Sequence, residues 1–438
     1  MAAFLLACNP KGSEKADRLK KSDGIITVKA DSPAYGGFSL ARRNGSVLLI
    51  RNAIPGETVA AKIDEHKKDF VLASVVKVFV ASPDRIEPPC PVFGVCGGCH
   101  HQYILYPRQV SLKEEILREC MHKIAGKSAY LSEPFLGDKP WNFRYRGQFK
   151  LDAGAIGFFR ENSREVVDID ECPLMKVEVN TLFSKAREIY KASPDLFDGV
   201  SDLHISYGDV GLALLKSGGK ISMARRNQIG MLFLDAGFEG VCIMSEKGKM
   251  VNYGGEHIPI GLDGLKYTVS SRSFFQGHWD LNRTVVGFLR QALHPLNGKR
   301  VIVLYAGGGN FSLPLAFDGA DVYAVEENPI SVEDGKRNAA ANGIRNCRFV
   351  ECSAERLKVS DTVDALIVAP PKQGLSNSAL EKILTLEPDR IAYVSCNPLP
   401  LVRVIKKLLG RYEVESMRII DCLPQTYYIK SITVLRLR

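Results

Sequence analysis

The 438-residue sequence has no stretch near the roughly 18 uninterrupted apolar residues that a bilayer-crossing helix needs, which excludes a helical membrane span. It carries no P-loop lysine, so a nucleotide held by its polyphosphate is not expected. No flavin or complete nicotinamide fingerprint accompanies its cysteines, which leaves an electron-transferring oxidoreductase with little support. Internal repeats and low-complexity tracts are absent, excluding a solenoid. The apolar opening Met1 to Cys8 is shorter than a signal core and has no basic residue ahead of it. A secretory or lipoprotein signal is therefore not expected, and residues 1–21 read as a disordered tail.

What is present belongs to a globular protein of two or three domains: 45% hydrophobic and 24% charged residues. Lys and Arg number 58 against 49 Asp and Glu, a formal charge of +9 that permits a polyanionic partner without demanding one. Eleven cysteines is an odd count in a chain too long for a small disulfide scaffold. Cys90, Cys96 and Cys99 fall within ten residues, which indicates ligand chemistry in a reducing, cytoplasmic setting.

The chain divides by pattern. Residues 22–82 read as short alternating runs broken by Gly36-Gly37, Asn44-Gly45 and Pro55-Gly56, the expectation for a small β-barrel of a kind used for nucleic acid. Residues 83–265 read as a β-rich central domain: a cysteine-bearing loop, an amphipathic helix over Gln109–Ile124, then strands. In the run from Asn142 to Leu151, Phe143, Tyr145, Phe149 and Leu151 alternate with Arg144, Arg146, Gln148 and Lys150. That places the apolar set on a core and three cations on a face open to RNA phosphate or to solvent. Residues 266–438 alternate buried strands with helices, the signature of a parallel α/β sheet of Rossmann type.

Three constellations carry chemistry. The first joins strand and helix through Gly307, Gly308 and Gly309, with Glu326 about 20 residues on, placed to accept ribose hydroxyl protons. With no polyphosphate site, an adenosine-type ligand such as S-adenosylmethionine fits. In the second, Cys396 follows a strand and precedes Asn397-Pro398, at the sheet end where a nucleophile can face such a ligand. The third is the C-x5-C-x2-C run, to which Cys172 is the best-placed fourth thiolate; iron–sulfur or zinc suits such a set, with His100 and His101 keeping a zinc alternative open.

The order barrel, CGGC, SFFQ, LYAGGGNFSLPLA, VEEN, PPKQGL, YVSCNP resembles the RNA (uracil-5-)-methyltransferases of the TRAM-domain, iron–sulfur type over residues 22–438. The resemblance implies a TRAM-like barrel, a [4Fe-4S] cluster on Cys90, Cys96, Cys99 and Cys172, and S-adenosylmethionine bound by Gln276, Tyr305, Gly307, Gly309, Asn310 and Glu326. It also implies Cys396 as the nucleophile that adds to carbon 6 of a flipped uridine in structured rRNA or tRNA. A monomer is expected.

Five positions depart from that family's pattern. Lys430 stands where the family has the glutamate that removes the carbon-5 proton, and Tyr428 where it has a histidine. Ala369 and Val303 replace aspartates, and His278 replaces an asparagine. A lysine is ordinarily protonated at neutral pH and then has no lone pair to accept a proton. Two readings follow: an active uracil-5 methyltransferase, or a catalytically impaired RNA-binding iron–sulfur paralogue.

Overall fold

The computed structural model describes residues 24–358 and 362–438; the expected tail over 1–21 lies outside them. Six strands open the chain: β1 (Ile25–Lys29), β2 (Ser32–Ala34), β3 (Phe38–Arg43), β4 (Ser46–Arg51), β5 (Thr58–His66) and β6 (Val71–Val80). They form one sheet in the order β1-β5-β6-β4-β3-β2. Three strands separate β1 from β3 in that order, yet Ile26 and Val28 share one core with Ala41, Leu48, Ile50 and Val59. Burying both ends against one core requires the sheet to curl on itself.

Helix α1 (Tyr106–Cys120) begins with a proline in its first turn and runs into a π-helical turn over Met121–Ala125. A second sheet follows, from β7 (Arg146–Asp152), β8 (Ala155–Phe159), β9 (Val166–Asp168), β10 (Val200–Tyr207), β11 (Gly211–Ser217), β12 (Gly240–Met244) and β13 (Met250–Gly254), in the order β13-β12-β11-β10-β7-β8-β9. Two helices the sequence reading left unnamed, α2 (Val177–Ala192) and α3 (Met223–Asp235), pack on the face carrying Phe149, Leu151, Leu203, Ile205, Ala213 and Leu215.

The alternation expected around β7 holds for its apolar parity, since Phe143, Tyr145, Phe149 and Leu151 are all buried. Its cationic parity is corrected. The strand starts only at Arg146, because Asn142 adopts a left-handed φ of 54° and turns the chain. None of the three cations stands free toward solvent. Arg144 lines a cavity among cysteines, Arg146 lies over the rings of Phe274 and Phe275, and Lys150 is ion-paired with Asp202.

A hairpin of β14 (His257–Leu262) and β15 (Leu265–Ser270) leads through helix α4 (Trp279–Ala292) into the last sheet. Its strands are β16 (Arg300–Leu304), β17 (Asp321–Glu326), β18 (Cys347–Glu351), β19 (Ala365–Val368), β20 (Arg390–Ser395), β21 (Tyr412–Ile420) and β22 (Lys430–Leu437). The order is β18-β17-β16-β19-β20-β22-β21, parallel through the first five and antiparallel in the last two. Helices α5 (Ser312–Phe317), α6 (Pro329–Ala341), α7 (Asn377–Leu386) and α8 (Pro398–Leu408) complete the α/β unit.

Residues of one parity, among them Val301, Val303, Val322, Ile367 and Ala392, pack with α4, α5 and α6. The other parity, with Ile302, Leu304, Leu366, Ile391 and Tyr393, packs with α7, α8 and α1. A parallel sheet buried on both faces needs this uninterrupted apolar character, and its ligand-binding edge lies beyond the carboxyl ends of the strands. Among the described residues, no helix is long and apolar enough to cross a membrane.

Candidate active site and cysteine cavity

At that edge, Tyr305 leaves β16 with φ 61°, a left-handed conformation that is costly for a side chain of its size. The chain then turns through Gly307 (φ 55°) and Gly309 (φ 96°). A Cβ on Gly309 would stand 2.8 Å from Leu313 Cγ and 3.0 Å from Phe349 Cζ, so this position has room only for glycine. Glu326 ends β17, where one carboxylate oxygen accepts from the Gly307 amide at 2.9 Å and the other from the Asn328 amide at 2.9 Å. The turn and the acid are thereby joined, with further lone pairs on the acid left for a ligand. Asn310 exchanges two amide hydrogen bonds with Asn282 of α4, at 2.7 and 3.0 Å, and so braces the turn.

Cys396 and Lys430 are brought together by strand register. Ser395 at the end of β20 lies opposite Ser431 of β22, and the antiparallel pairing places the next residues outward, Cys396 and Lys430, at the same sheet end. Cys396 is half-buried. Its loop is fixed by Ser395 Oγ, which donates to the Asn397 carbonyl at 2.8 Å, and by Asn397, whose side chain caps α8 and donates to the Lys372 carbonyl at 3.3 Å. Lys430 Nζ donates to Gln276 Oε1 at 2.9 Å, and the Lys372 ammonium sits 4.1 Å from the centroid of the Tyr428 ring. Burial pushes the Tyr35 phenol up to about 12, and the charges of Tyr428, Cys120 and Cys396 add to it. The first sheet therefore delivers a side chain to the neighbourhood of Cys396, which no local sequence signal announces. Cys422 is another neighbour, its thiol raised by burial and opposed by the charge of Lys430.

The departures from the family pattern have visible settings. Val303 is fully buried in the middle of β16, and Ala369 packs against the same core. His278 caps α4, its Nδ1 accepting from the Leu281 amide at 3.2 Å while the ring stacks on Phe143 at 4.9 Å. Burial lowers its pKa to about 4, which keeps the imidazole neutral and able to accept that bond.

The segment from Asp421 to Tyr428 is clasped from two sides. Lys113 of α1 pairs with Asp421 at 2.7 Å, both side chains 1% exposed, and Gln109 exchanges amide bonds with Gln425 at 2.9 and 3.0 Å. The amides of His100 and His101, which follow the last cysteine of the cluster loop, both donate to the Gln425 carbonyl, at 2.8 and 3.0 Å.

Cys90, Cys96, Cys99 and Cys172 line one cavity of about 80 Å³, together with Gln102, Phe158 and Arg144. The Asn180 side chain of α2 holds the Cys172 backbone by both its amide and its carbonyl, at 3.1 and 3.0 Å. Burial raises the Cys99 thiol to about 12 and the Cys172 thiol to about 11, with the other sulfurs adding to each shift. Arg144 is buried beside Cys172 and Cys99 with its Nε unpartnered. Among the described residues, no three His, Cys, Asp or Glu side chains are grouped closely enough to hold a single metal ion.

Comparison with known proteins follows the same outline. The model of the tRNA (uracil-5-)-methyltransferase family matches residues 243–362 and 359–438. An uncharacterized RNA methyltransferase of Aquifex aeolicus is 33% identical, covering 95% of this chain and 99% of its own length. The 23S rRNA (uracil(1939)-C(5))-methyltransferase of Shewanella amazonensis is 29% identical over 97% of this chain and 98% of its own. The crystal structure of Pyrococcus abyssi tRNA (uracil-54, C5)-methyltransferase with S-adenosyl-L-homocysteine superimposes with a TM-score of 0.75 at 22% identity, over 93% of this chain and 99% of that one. Sequence and fold thus agree along nearly the whole length, and the chain belongs to the RNA (uracil-5-)-methyltransferase family.

Proposed function

We propose that the protein methylates carbon 5 of a uridine in ribosomal or transfer RNA, using S-adenosylmethionine and a covalent bond from Cys396 to carbon 6. The observation that carries this reading is the β20–β22 register, which sets Cys396 beside Lys430 at the sheet edge that also bears the glycine turn and Glu326. Carbon 5 of uracil is too weak a nucleophile to take a methyl group unaided. Addition of the Cys396 thiolate at carbon 6 makes an enolate whose carbon 5 can attack, and removal of the carbon-5 proton then expels the thiolate. Bound S-adenosylmethionine supplies the electrophilic methyl group. Glu326 would accept from its ribose hydroxyls, Tyr305, Gly307 and Gly309 would shape its pocket, Asn310 would brace that turn, and Gln276 would bind it from the opposite loop.

The cysteine cavity fits a [4Fe-4S] cluster held by Cys90, Cys96, Cys99 and Cys172. Four soft donors surround one space, and an unpartnered arginine beside them matches the negative charge of such a group. Zinc, the lesser alternative, requires tighter convergence. When bound, the cluster supplies a charged cross-link between the 90–99 loop and the Cys172 segment. The chain would divide at 22–82, 83–265 and 266–438, its first unit a TRAM-like barrel.

A second reading, an RNA-binding paralogue with impaired turnover, is supported by the Lys430–Gln276 bond, in which Nζ is engaged as a donor. One experiment separates the two. Incubation with labelled S-adenosylmethionine and unmodified 23S rRNA or tRNA transcripts should label the RNA, or trap a protein–RNA adduct on a denaturing gel. Neither should occur in Cys396→Ala. Absence of both label and adduct with the wild-type protein overturns the proposal.

A further inference from the structure

Beside the proposed active site lies a second cleft, of about 440 Å³, to which four parts of the chain contribute. The curled N-terminal sheet supplies Phe38 and Arg51, the cysteine loop His100, the β8–β9 hairpin Phe159 and Glu161, and the C-terminal loop Tyr427. Its character is that of a base pocket and not of a phosphate grip. Phe159 is an aromatic ring left 37% exposed. His100 packs edge-on to Tyr427 at 4.5 Å, and its Nδ1 is buried without a partner. Arg51 is ion-paired with Glu161, which leaves a donor and an acceptor side by side, and Arg160, which also lines the cleft, is ion-paired with Glu165. Flat rings with paired donor and acceptor groups match the faces and edges of a nucleobase. The cleft is also continuous with the catalytic loop, since the ring of Tyr427 lies 4.4 Å from that of Tyr428, over which Lys372 sits.

We infer that this cleft takes a second nucleobase of the RNA substrate, one splayed out beside the target uridine, stacked on Phe159 and read at its edge by Arg51 and Glu161. The inference rests on the RNA-methylating function proposed above. Binding there would add affinity for an RNA able to offer two unstacked bases, without entering the chemical step.

The test uses the full-length protein carrying its cluster, with 23S rRNA and tRNA transcripts as probes. Phe159→Ala should raise KM for RNA about tenfold, within the range lost with one stacked base, and leave kcat within about twofold. The slope of log KM against log salt should stay at its wild-type value, because no phosphate contact is removed. Phe159→Trp, which keeps a flat ring, should restore KM. An unchanged KM in Phe159→Ala, or a flattened salt slope, overturns the inference. If the wild-type protein methylates no transcript, the functional proposal fails separately. Filter binding of the same transcripts then decides the cleft, with a weaker Kd in Phe159→Ala supporting it and an unchanged Kd overturning it.

Discussion

Replacing Lys113 with methionine removes one partner of a pair whose two side chains are each only 1% exposed. Lys113 Nζ holds Asp421 Oδ1 at 2.7 Å and the Leu423 carbonyl at 3.1 Å, while the other Asp421 oxygen already lacks a partner. Lys113→Met thus strands a buried carboxylate, a change that costs about 3–5 kcal/mol. The cost falls on residues 421–428, because α1 is anchored independently in the apolar core through Ile116, Leu117 and Cys120. Amide exchange in 421–428 should therefore accelerate by about two to three and a half orders of magnitude, the equivalent of that free energy at a tenfold change per 1.4 kcal/mol. Adding Asp421→Asn neutralises the stranded charge and should recover more than about half of the loss, leaving the smaller cost of an imperfectly bonded amide. Hydrogen–deuterium exchange read by mass spectrometry measures both variants. Equal acceleration in the single and double variants, or none in the single, would refute the locking of residues 421–428 by this pair.

Lys430→Glu places a carboxylate at the position of the expected base and should raise turnover on RNA by about 10²–10⁴-fold, the usual contribution of a positioned base; an unchanged rate in single-turnover assays argues against that role. Gly309→Ala drives a methyl group against Leu313 and Phe349 at a φ of 96° and should abolish detectable binding of labelled S-adenosylmethionine while the circular dichroism of the fold persists. Cys172→Ser should lose iron and visible absorbance together, and retention of both would remove Cys172 from the ligand set. The buried imidazole of His278, lowered to about 4, binds a proton less readily than in the unfolded chain, so stability should fall as pH drops below about 6.5 toward 4. His278→Asn should flatten part of that fall in acid unfolding titrations; His101 and His204, lowered by burial in the same direction, contribute to what remains.

The C-terminal sheet was legible because a strand buried on both faces must be apolar throughout. The runs at 300–305, 321–326, 365–369 and 391–395 could therefore be read directly. Cys396 followed from the same logic, as a thiol just beyond such a run. The stretch from Trp141 to about Lys266 reads as strand-rich, although Val179, Leu182, Phe183, Ala186 and Tyr190 carry the helical spacing of α2 and are all buried. What no pattern could supply were contacts between residues far apart in the chain. Arg144 appeared as one cation in an alternating row, yet its surroundings come from cysteines on two other segments. Tyr35 sits next to a pair of glycines that signal only a turn, and its approach to Cys396 depends on how two separately built sheets meet. Periodicity reports which side of an element is covered, not what covers it.

The placement of β22 between β20 and β21 has a consequence for biosynthesis. Because β20 and Cys396 precede β22 in the chain, they leave the ribosome before the strand that lies alongside them. Until Lys430–Leu437 inserts, β20 is an open edge and its thiol has no lysine across from it. A partly made chain can therefore complete its two earlier sheets while the far edge of the third is still open.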